Sequence, residues 1–319
     1  MNSENIPVLI ITVPCYNEEA VLEETARRLS SLVNELAGDK IIGPDSRILL
    51  VNDGSSDKTW DIIARLYQGN PLVCGVNLAG NVGHQNALMA GLETAKSMGD
   101  IVISIDADLQ DDISVIPEMI QKYNDGCDIV YGVRKERKTD TWFKRKTALG
   151  FYTLMKHLGV RSVYNHADYR LMSKRALEQL SRYPEKNLFL RGIIPTIGYK
   201  SDYVYYDRQE RFAGESKYPL SKMLNFAIDG ITSFSVKPVR LIFLIGLLFI
   251  LIAFGIFIYV ICSLFSGNSV SGWASLILSL WFIGGCALLG IGVIGEYIGK
   301  IYLEVKDRPR YNIESVLLK

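Results

Sequence analysis

Residues 47–57, RILLVNDGSSD, decide the fold. The aliphatic run from Ile48 to Val51 is strand-favouring and carries no polar interruption until Asn52. Asp53-Gly54 then signals a turn, and Ser55-Ser56-Asp57 a helix start. Comparable runs lie on either side: VLIITV at 8–13, LVCGV at 72–76, IVISI at 101–105 and DIVYGV at 128–133. Helical periods fill the gaps. Leu22, Ala26, Leu29, Val33 and Leu36 mark the first, and 57–67, 83–97 and 114–124 follow. Continuous apolar strands alternating with such helices predict an α/β domain, a mostly parallel sheet with helices on both faces. Ligands bind such sheets beyond the carboxyl ends of the strands.

The charges divide the chain. Its 319 residues hold 35 Lys and Arg against 34 Asp and Glu, a net charge of +1, and none of them falls between Arg240 and Glu296. Near-zero balance excludes a protein that works through a global basic field on nucleic acid, and 49% hydrophobic residues exclude a disordered chain. Five cysteines, with no CxxC pair, suggest neither a disulfide framework nor a thiolate zinc site. A reducing, cytoplasmic setting is the simpler expectation.

The uncharged stretch predicts a membrane piece. Residues 241–265 and 273–294 are each long enough to span, with the polar, uncharged SGNSVSG as the turn between them. Lys237 and Arg240 before the first span, and Lys300, Lys306, Arg308 and Arg310 after the second, put both flanks in the cytoplasm. VLIITV is too short and lacks a basic leader for a signal peptide. Leu220, Leu224, Ala227, Ile231 and Phe234 recur at helical steps, as in a helix lying on the membrane surface or an ordinary packing helix. The expected organisation is a cytoplasmic catalytic domain over 1–218, a juxtamembrane helix over 219–238, two transmembrane helices over 239–296 and a cytoplasmic tail over 297–319. Gly295 and Gly299 would let spans approach closely, and with that a homo-oligomer.

Chemistry-bearing residues follow the strands. Pro14-Cys15-Tyr16-Asn17-Glu18-Glu19 leaves the first, Asp53-Gly54-Ser55-Ser56-Asp57 the second, and Asp106-Ala107-Asp108-Leu109-Gln110-Asp111-Asp112 the fourth. Taken singly, Asn17 or Ser56 and Asp57 could cap a helix, Asp53-Gly54 could be a turn, and 106–112 could be a solvated helix start. Those readings predict scattered polar residues and do not account for all three at strand exits. Asp106 and Asp108, two apart, can reach one hard divalent cation, Mg2+ or Mn2+ rather than zinc. No GxxxxGK[ST] is present, so this is not a P-loop site.

At these residues the chain resembles the family-two glycosyltransferases of GT-A fold, through PCYNEE, NDGSSDKT and DADLQDD. With NVGHQNALMAGL (81–92), ADYRLMS (167–173), RFAGESKY (211–218) and the terminal helix pair, it is similar to the polyprenyl-phosphate glycosyltransferases, the group of bactoprenol glucosyltransferases and dolichol-phosphate mannose synthases. The QxxRW motif that processive synthases of this fold generally carry is missing. The resemblance implies that Pro14, Tyr16, Asn17 and Glu18 hold the nucleotide base and ribose, and that Asp53 closes the pocket on the base. It implies that Asp106 touches ribose or metal, and that Asp108 with Gln110 ligates the metal on the sugar-nucleotide diphosphate. Arg211 and Lys217 match a loop near that diphosphate, with Gly214 letting it fold over as a lid. Asp168 is the family's candidate catalytic base. A lipid phosphate has its second pKa near about 6 and hardly needs deprotonation, so orienting the acceptor or holding an arginine is the alternative role.

The acceptor side points to the segment 134–146, RKERKTDTWFKRK, with seven basic residues against two acidic and with Trp142 and Phe143 among them. Such a run attracts anionic lipid heads, or is simply a solvated loop. Arg134 and Arg145 are the expected acceptor-phosphate ligands, since guanidinium offers paired planar donors. His84 and His166 read as hydrogen-bonding structural residues rather than metal ligands, and His157 has no assigned role. The expected activity is inverting transfer of one hexose from a nucleotide sugar, UDP-glucose favoured, to polyprenyl (undecaprenyl) phosphate. A separate flippase and a downstream glycosyltransferase would use the product. The rival readings are an idle nucleotide-sugar-binding membrane adaptor and a processive polysaccharide synthase.

Overall fold

The computed structural model describes residues 6–135, 166–186, 188–207, 237–265 and 272–319. The chain divides into two units. The first takes in the N-terminal part together with residues 308–319, and the second contains the two long C-terminal helices.

In the first unit, eight strands form one sheet in the order β7-β5-β6-β4-β1-β2-β3-β8. They are β1 (Leu9–Cys15), β2 (Arg47–Asn52), β3 (Val73–Leu78), β4 (Ile101–Ser104), β5 (Ile129–Arg134), β6 (His166–Ser173), β7 (Ser201–Tyr206) and β8 (Ile313–Leu317). The five runs read from the sequence are β1 to β5. Strands β4, β1, β2 and β3 pair in parallel, β6 runs antiparallel between β4 and β5, and β8 runs antiparallel to β3. Strands β6, β7 and β8 went unread for a physical reason, β7 being an edge strand that opens on polar Ser201 and Asp202. Strand β6 carries Asp168 and Arg170, which neutralise each other, and β8 is an edge strand with polar Glu314 and Ser315.

Helices cover both faces. On one lie α1 (Leu22–Gly38), α2 (Thr59–Gly69) and α4 (Ile116–Asn124), whose Leu29, Ile63 and Met119 join Ile11, Val13 and Leu50 in the core. On the other lies α3 (His84–Ala95), which seats Gly91 against the sheet. A Cβ there would stand 2.2 Å from Thr12 Oγ1 and 2.9 Å from Val51 Cγ2. Strand alternation puts Thr12, Ser104, Arg170 and Asp168 on this α3 face, and Tyr169 and Tyr206 on the opposite one. Two shorter helices, α5 (Lys174–Leu180) and α6 (Leu190–Ile193), follow β6.

The second unit contains α7 (Lys237–Phe265, 29 residues) and α8 (Trp273–Val305, 33 residues). Phe282–Val305 is long and apolar enough to cross a membrane. At 1.5 Å per residue, α8 measures roughly 50 Å and exceeds a 30 Å hydrocarbon slab. The expected juxtamembrane helix at 219–238 lies almost wholly outside the described residues.

Candidate active site

The carboxyl edge of the parallel strands is built by the chemistry of their last residues. The Cys15 carbonyl accepts from Asp53 N–H at 2.9 Å and the Thr12 carbonyl from Ile105 N–H at 3.1 Å, so alternation points the Pro14 nitrogen toward β4. Having no N–H, Pro14 ends the β1–β4 ladder at Thr12 and Ser104. The chain after β4 is thereby released into the acidic loop, at the point where strand order reverses.

The β1 and β2 exits are laced together. Asn17, at φ 54°, donates its N–H to Ser55 Oγ at 3.0 Å and accepts from Ser56 N–H at 2.9 Å. Glu18 N–H donates to Thr59 Oγ1 at 2.9 Å, and Glu19 N–H to Asp57 at 3.2 Å. Tyr16 stands half exposed above them. The Cys15 thiol is buried, and burial, then the Glu18 charge, pushes its pKa up, which makes it a poor nucleophile. Asp53 is buried and its two oxygens accept from Val82 N–H at 2.8 Å and Gly83 N–H at 3.1 Å. It therefore shapes the loop that launches α3. Gly54, at φ 59°, passes so close to Gly80 and Asn81 that a Cβ would meet backbone at 2.4 Å.

His84 opens α3 and joins this loop to the β4 and β6 exits. Its Nε2 lies 3.6 Å from Asp106 and 3.5 Å from Asp168. Burial alone would depress its pKa. The hydrogen bond to Asp168 and the charges of Asp106 and Asp168 outweigh that, and raise it to about 9. Asp106 is pushed above the usual carboxylate range, first by burial and then, against the relief from His84, by its acidic neighbours Asp111, Asp168 and Asp108. Leu109, at φ 56°, turns the loop so that Asp108 accepts from Gln110 N–H at 3.2 Å, and Gln110 is buried.

Asp168 is the most heavily paired carboxylate of the site. It accepts from Arg170 Nη2 and from Arg191 at 3.1 Å (Nη2) and 3.3 Å (Nε). Burial would raise its pKa, but Arg191, the His84 hydrogen bond and Arg170 hold it well below the usual carboxylate range. A carboxylate so stabilised is a weak base. The geometry gives Asp168 the holding role that sequence reasoning set beside the base.

Arg134, expected at the acceptor phosphate, ends β5 with its guanidinium on Asp111, at 2.8 Å (Nη2) and 3.2 Å (Nε). Arg145, Arg211 and Lys217 lie outside the described residues. Sequence reasoning missed Arg191, whose surroundings in NLFLRGI carry no motif, and the buried partnership of Asp111 with Tyr206. It treated His84 as structural, although its place at a helix start after Gly83 in NVGHQ was a usable signal.

A hard divalent cation fits this edge. No group of three His, Cys, Asp or Glu stands ready as a closed ligand set among the described residues. Mg2+ and Mn2+ nevertheless need only one or two carboxylates, completed by water and substrate phosphate. Asp106 is half-buried with Asp108, Asp111 and Asp168 as acidic neighbours, and its carboxylate is pushed above the usual range mainly by that burial.

Residues 10–181, more than half of the chain, match the family described as glycosyl transferase family 2. The chain belongs to glycosyl transferase family 2. Its sheet is GT-A-like, as the resemblance implied. This family-2 enzyme is 60% identical over 312 residues to the uncharacterized glycosyltransferase YkoT of Bacillus subtilis (strain 168), covering 97% of this chain and 91% of the relative. It is 43% identical over 311 residues to the SfII prophage-derived bactoprenol glucosyl transferase of Shigella flexneri, covering 96% and 97%. Among solved structures, the mannosyltransferase PcManGT from Pyrobaculum calidifontis, in complex with GDP-Man and Mn2+, has a TM-score of 0.47 at 16% identity over 94% of this chain and 86% of that one.

Proposed function

We propose that this glycosyltransferase moves one hexose, from UDP-glucose as the favoured donor, onto polyprenyl (undecaprenyl) phosphate at the cytoplasmic membrane face, with inversion. The observation that carries the reading is the convergence of Asp106, Asp168, His84 and Arg191 at the carboxyl edge of the sheet. Likeness to a bactoprenol glucosyl transferase along nearly the whole chain supports the acceptor.

Chain topology supports a two-pass anchor. Strand β8 hydrogen-bonds into the sheet that holds β1 to β7, so the segment between must cross the bilayer an even number of times. If Phe282–Val305 crosses once, a second crossing is required, and α7, uncharged from Leu241 to Phe265, supplies it.

In the proposed reaction a phosphate oxygen of the lipid attacks the anomeric carbon. The bond to the nucleoside diphosphate breaks, its electron pair leaves with the diphosphate, and one in-line displacement inverts the centre. The acceptor phosphate, largely ionised near neutral pH, needs no strong base, which suits an Asp168 held anionic by arginines. Tyr16, Asn17, Glu18 and the loop shaped by Asp53 would receive the nucleoside. Asp106 and Asp108, with Gln110, would hold Mg2+ or Mn2+, which when bound neutralises the diphosphate. Arg191, fixed by Asp168, adds positive charge where the leaving group forms.

The test is a panel of radiolabelled sugar nucleotides offered to membranes containing the chain and polyprenyl phosphate. One labelled sugar per lipid, strongest with UDP-glucose, is the expected result. Absence of labelled lipid with every donor would favour the idle adaptor, and long polymer the processive synthase.

A further inference from the structure

A file of side-chain amides runs from the C-terminal strand to the β1 and β2 exits. Glu314 in β8 accepts from Asn77 Nδ2 at 2.7 Å, Asn77 Oδ1 accepts from Asn52 Nδ2 at 2.7 Å, and Asn52 Oδ1 accepts from Ser55 N–H at 3.3 Å. The Ser55 hydroxyl in turn receives Asn17 N–H at 3.0 Å. Asn52 and Asn77 are buried and stand opposite each other near the ends of the parallel strands β2 and β3. Asn77 pairs with Ser315 and Leu78 with Ile313, so Glu314 is the extra residue of a bulge. In a regular ladder Glu314 would point away from the face that Ser315 shares with Asn77, and the bulge re-aims it onto the Asn77 amide.

The order of donors and acceptors along this file follows from its two ends. An ionised carboxylate only accepts, so Asn77 must turn its NH2 to Glu314 and its oxygen to Asn52. Asn52 must then donate to Asn77, which leaves its own oxygen for the Ser55 N–H, a group that only donates. An amide reversed at either position would set donor against donor in a buried pair and leave one of them unsatisfied. Glu314 thus imposes from the far end of the chain the amide orientation that the turn after β2 requires. We propose that Glu314 is a positioning residue for the sugar-nucleotide donor. Through Asn77 and Asn52 it holds Ser55, and with it Asn17, in the conformation that receives the nucleoside. This rests on the reading of Tyr16, Asn17 and Glu18 as the nucleoside-receiving segment.

The experiment uses the full chain in detergent, titrated with UDP and with GDP, the tighter of which serves as probe. Limited proteolysis reports in parallel whether residues 308–319 stay docked. Glu314 is exposed, so changing it empties no part of the core. Glu314→Gln keeps an accepting oxygen, whereas Glu314→Lys offers only donors and sets the file against its Ser55 end. Adding Asn77→Asp to Glu314→Lys restores the order, because a carboxylate at that position accepts both from the new ammonium and from Asn52 Nδ2. One buried donor left unpaired predicts about tenfold weaker nucleotide binding for Glu314→Lys, about twofold for Glu314→Gln, and recovery to within about threefold of wild type in the double variant. The tail should remain as resistant to proteolysis as in wild type throughout. Equal losses in the two single variants, no recovery in the double variant, or a tail cleaved in step with the lost affinity would mean that Glu314 serves only to dock β8, and each overturns the proposal. Unchanged nucleotide binding in Glu314→Lys overturns it alone, leaving the nucleoside reading intact. A wild-type chain that binds neither UDP nor GDP overturns both.

Discussion

Replacing Asp168 by asparagine removes one negative charge from among three cationic groups: Arg170, 1% exposed, Arg191 at 3.1 Å and His84 at 3.5 Å. Removing one partner of a buried ion pair costs about 3–5 kcal/mol, because the remaining charge stays desolvated. Arg170 is that charge, and its Nε and Nη1 already lack partners. At about 2–4 °C per kcal/mol for a domain of this size, the melting temperature should fall by roughly 6–20 °C. Turnover should fall about a hundredfold as Arg191 and His84 lose their seat, the effect expected of a displacement near 1 Å. The pH dependence carries a sign. The folded pKa of Asp168 is depressed, so its contribution is present above the ordinary carboxylate value and lost as pH falls through the folded one. The gap in melting temperature between wild type and variant should therefore be full at pH 7.5 and narrow well below pH 4. Thermal unfolding of the purified chain, followed by circular dichroism across that range, measures it. A variant that melts like wild type and loses only turnover would refute the holding role and restore Asp168 as a base.

Three further outcomes are expected. Gly91→Ala, which must push α3 off Thr12 and Val51, should cost about 1–3 kcal/mol, read as a lower melting temperature with reduced transfer. Arg310 is largely buried and holds the carbonyls of Tyr183 and Glu185, so Arg310→Ala should cost about 1–3 kcal/mol and expose residues 308–319 to limited proteolysis. His84, with a pKa raised to about 9, should remain protonated at pH 7.5 by histidine NMR. Its contribution to stability should be complete below the ordinary imidazole value and lost as pH rises through about 9.

The half of the fold that repeats the pattern of 47–57 was legible because buried parallel strands are uninterrupted apolar runs. The same pattern placed the three loops quoted from the sequence along one edge: Asn17 bonds Ser55 and Ser56, Asp53 holds Gly83, and the adjacent His84 lies beside Asp106. What stayed hidden depends on pairing across the chain. Arg170 and Asp168 make β6 look polar although they cancel in place, and Arg191 reaches Asp168 across 23 residues. Asp53 shows the converse. Its position after β2 was evident, but that its carboxylate faces the backbone of Val82 and Gly83 follows from a loop 29 residues away.

The most direct test of the central claim is the mass of the lipid formed when the full chain, in membranes supplied with Mg2+ or Mn2+, meets UDP-glucose and undecaprenyl phosphate. Wild type should yield the lipid phosphate plus one hexose, and Asp108→Ala should yield almost none. Product from Asp108→Ala at the wild-type rate, or no hexosyl lipid from wild type with any nucleotide sugar, would contradict the account.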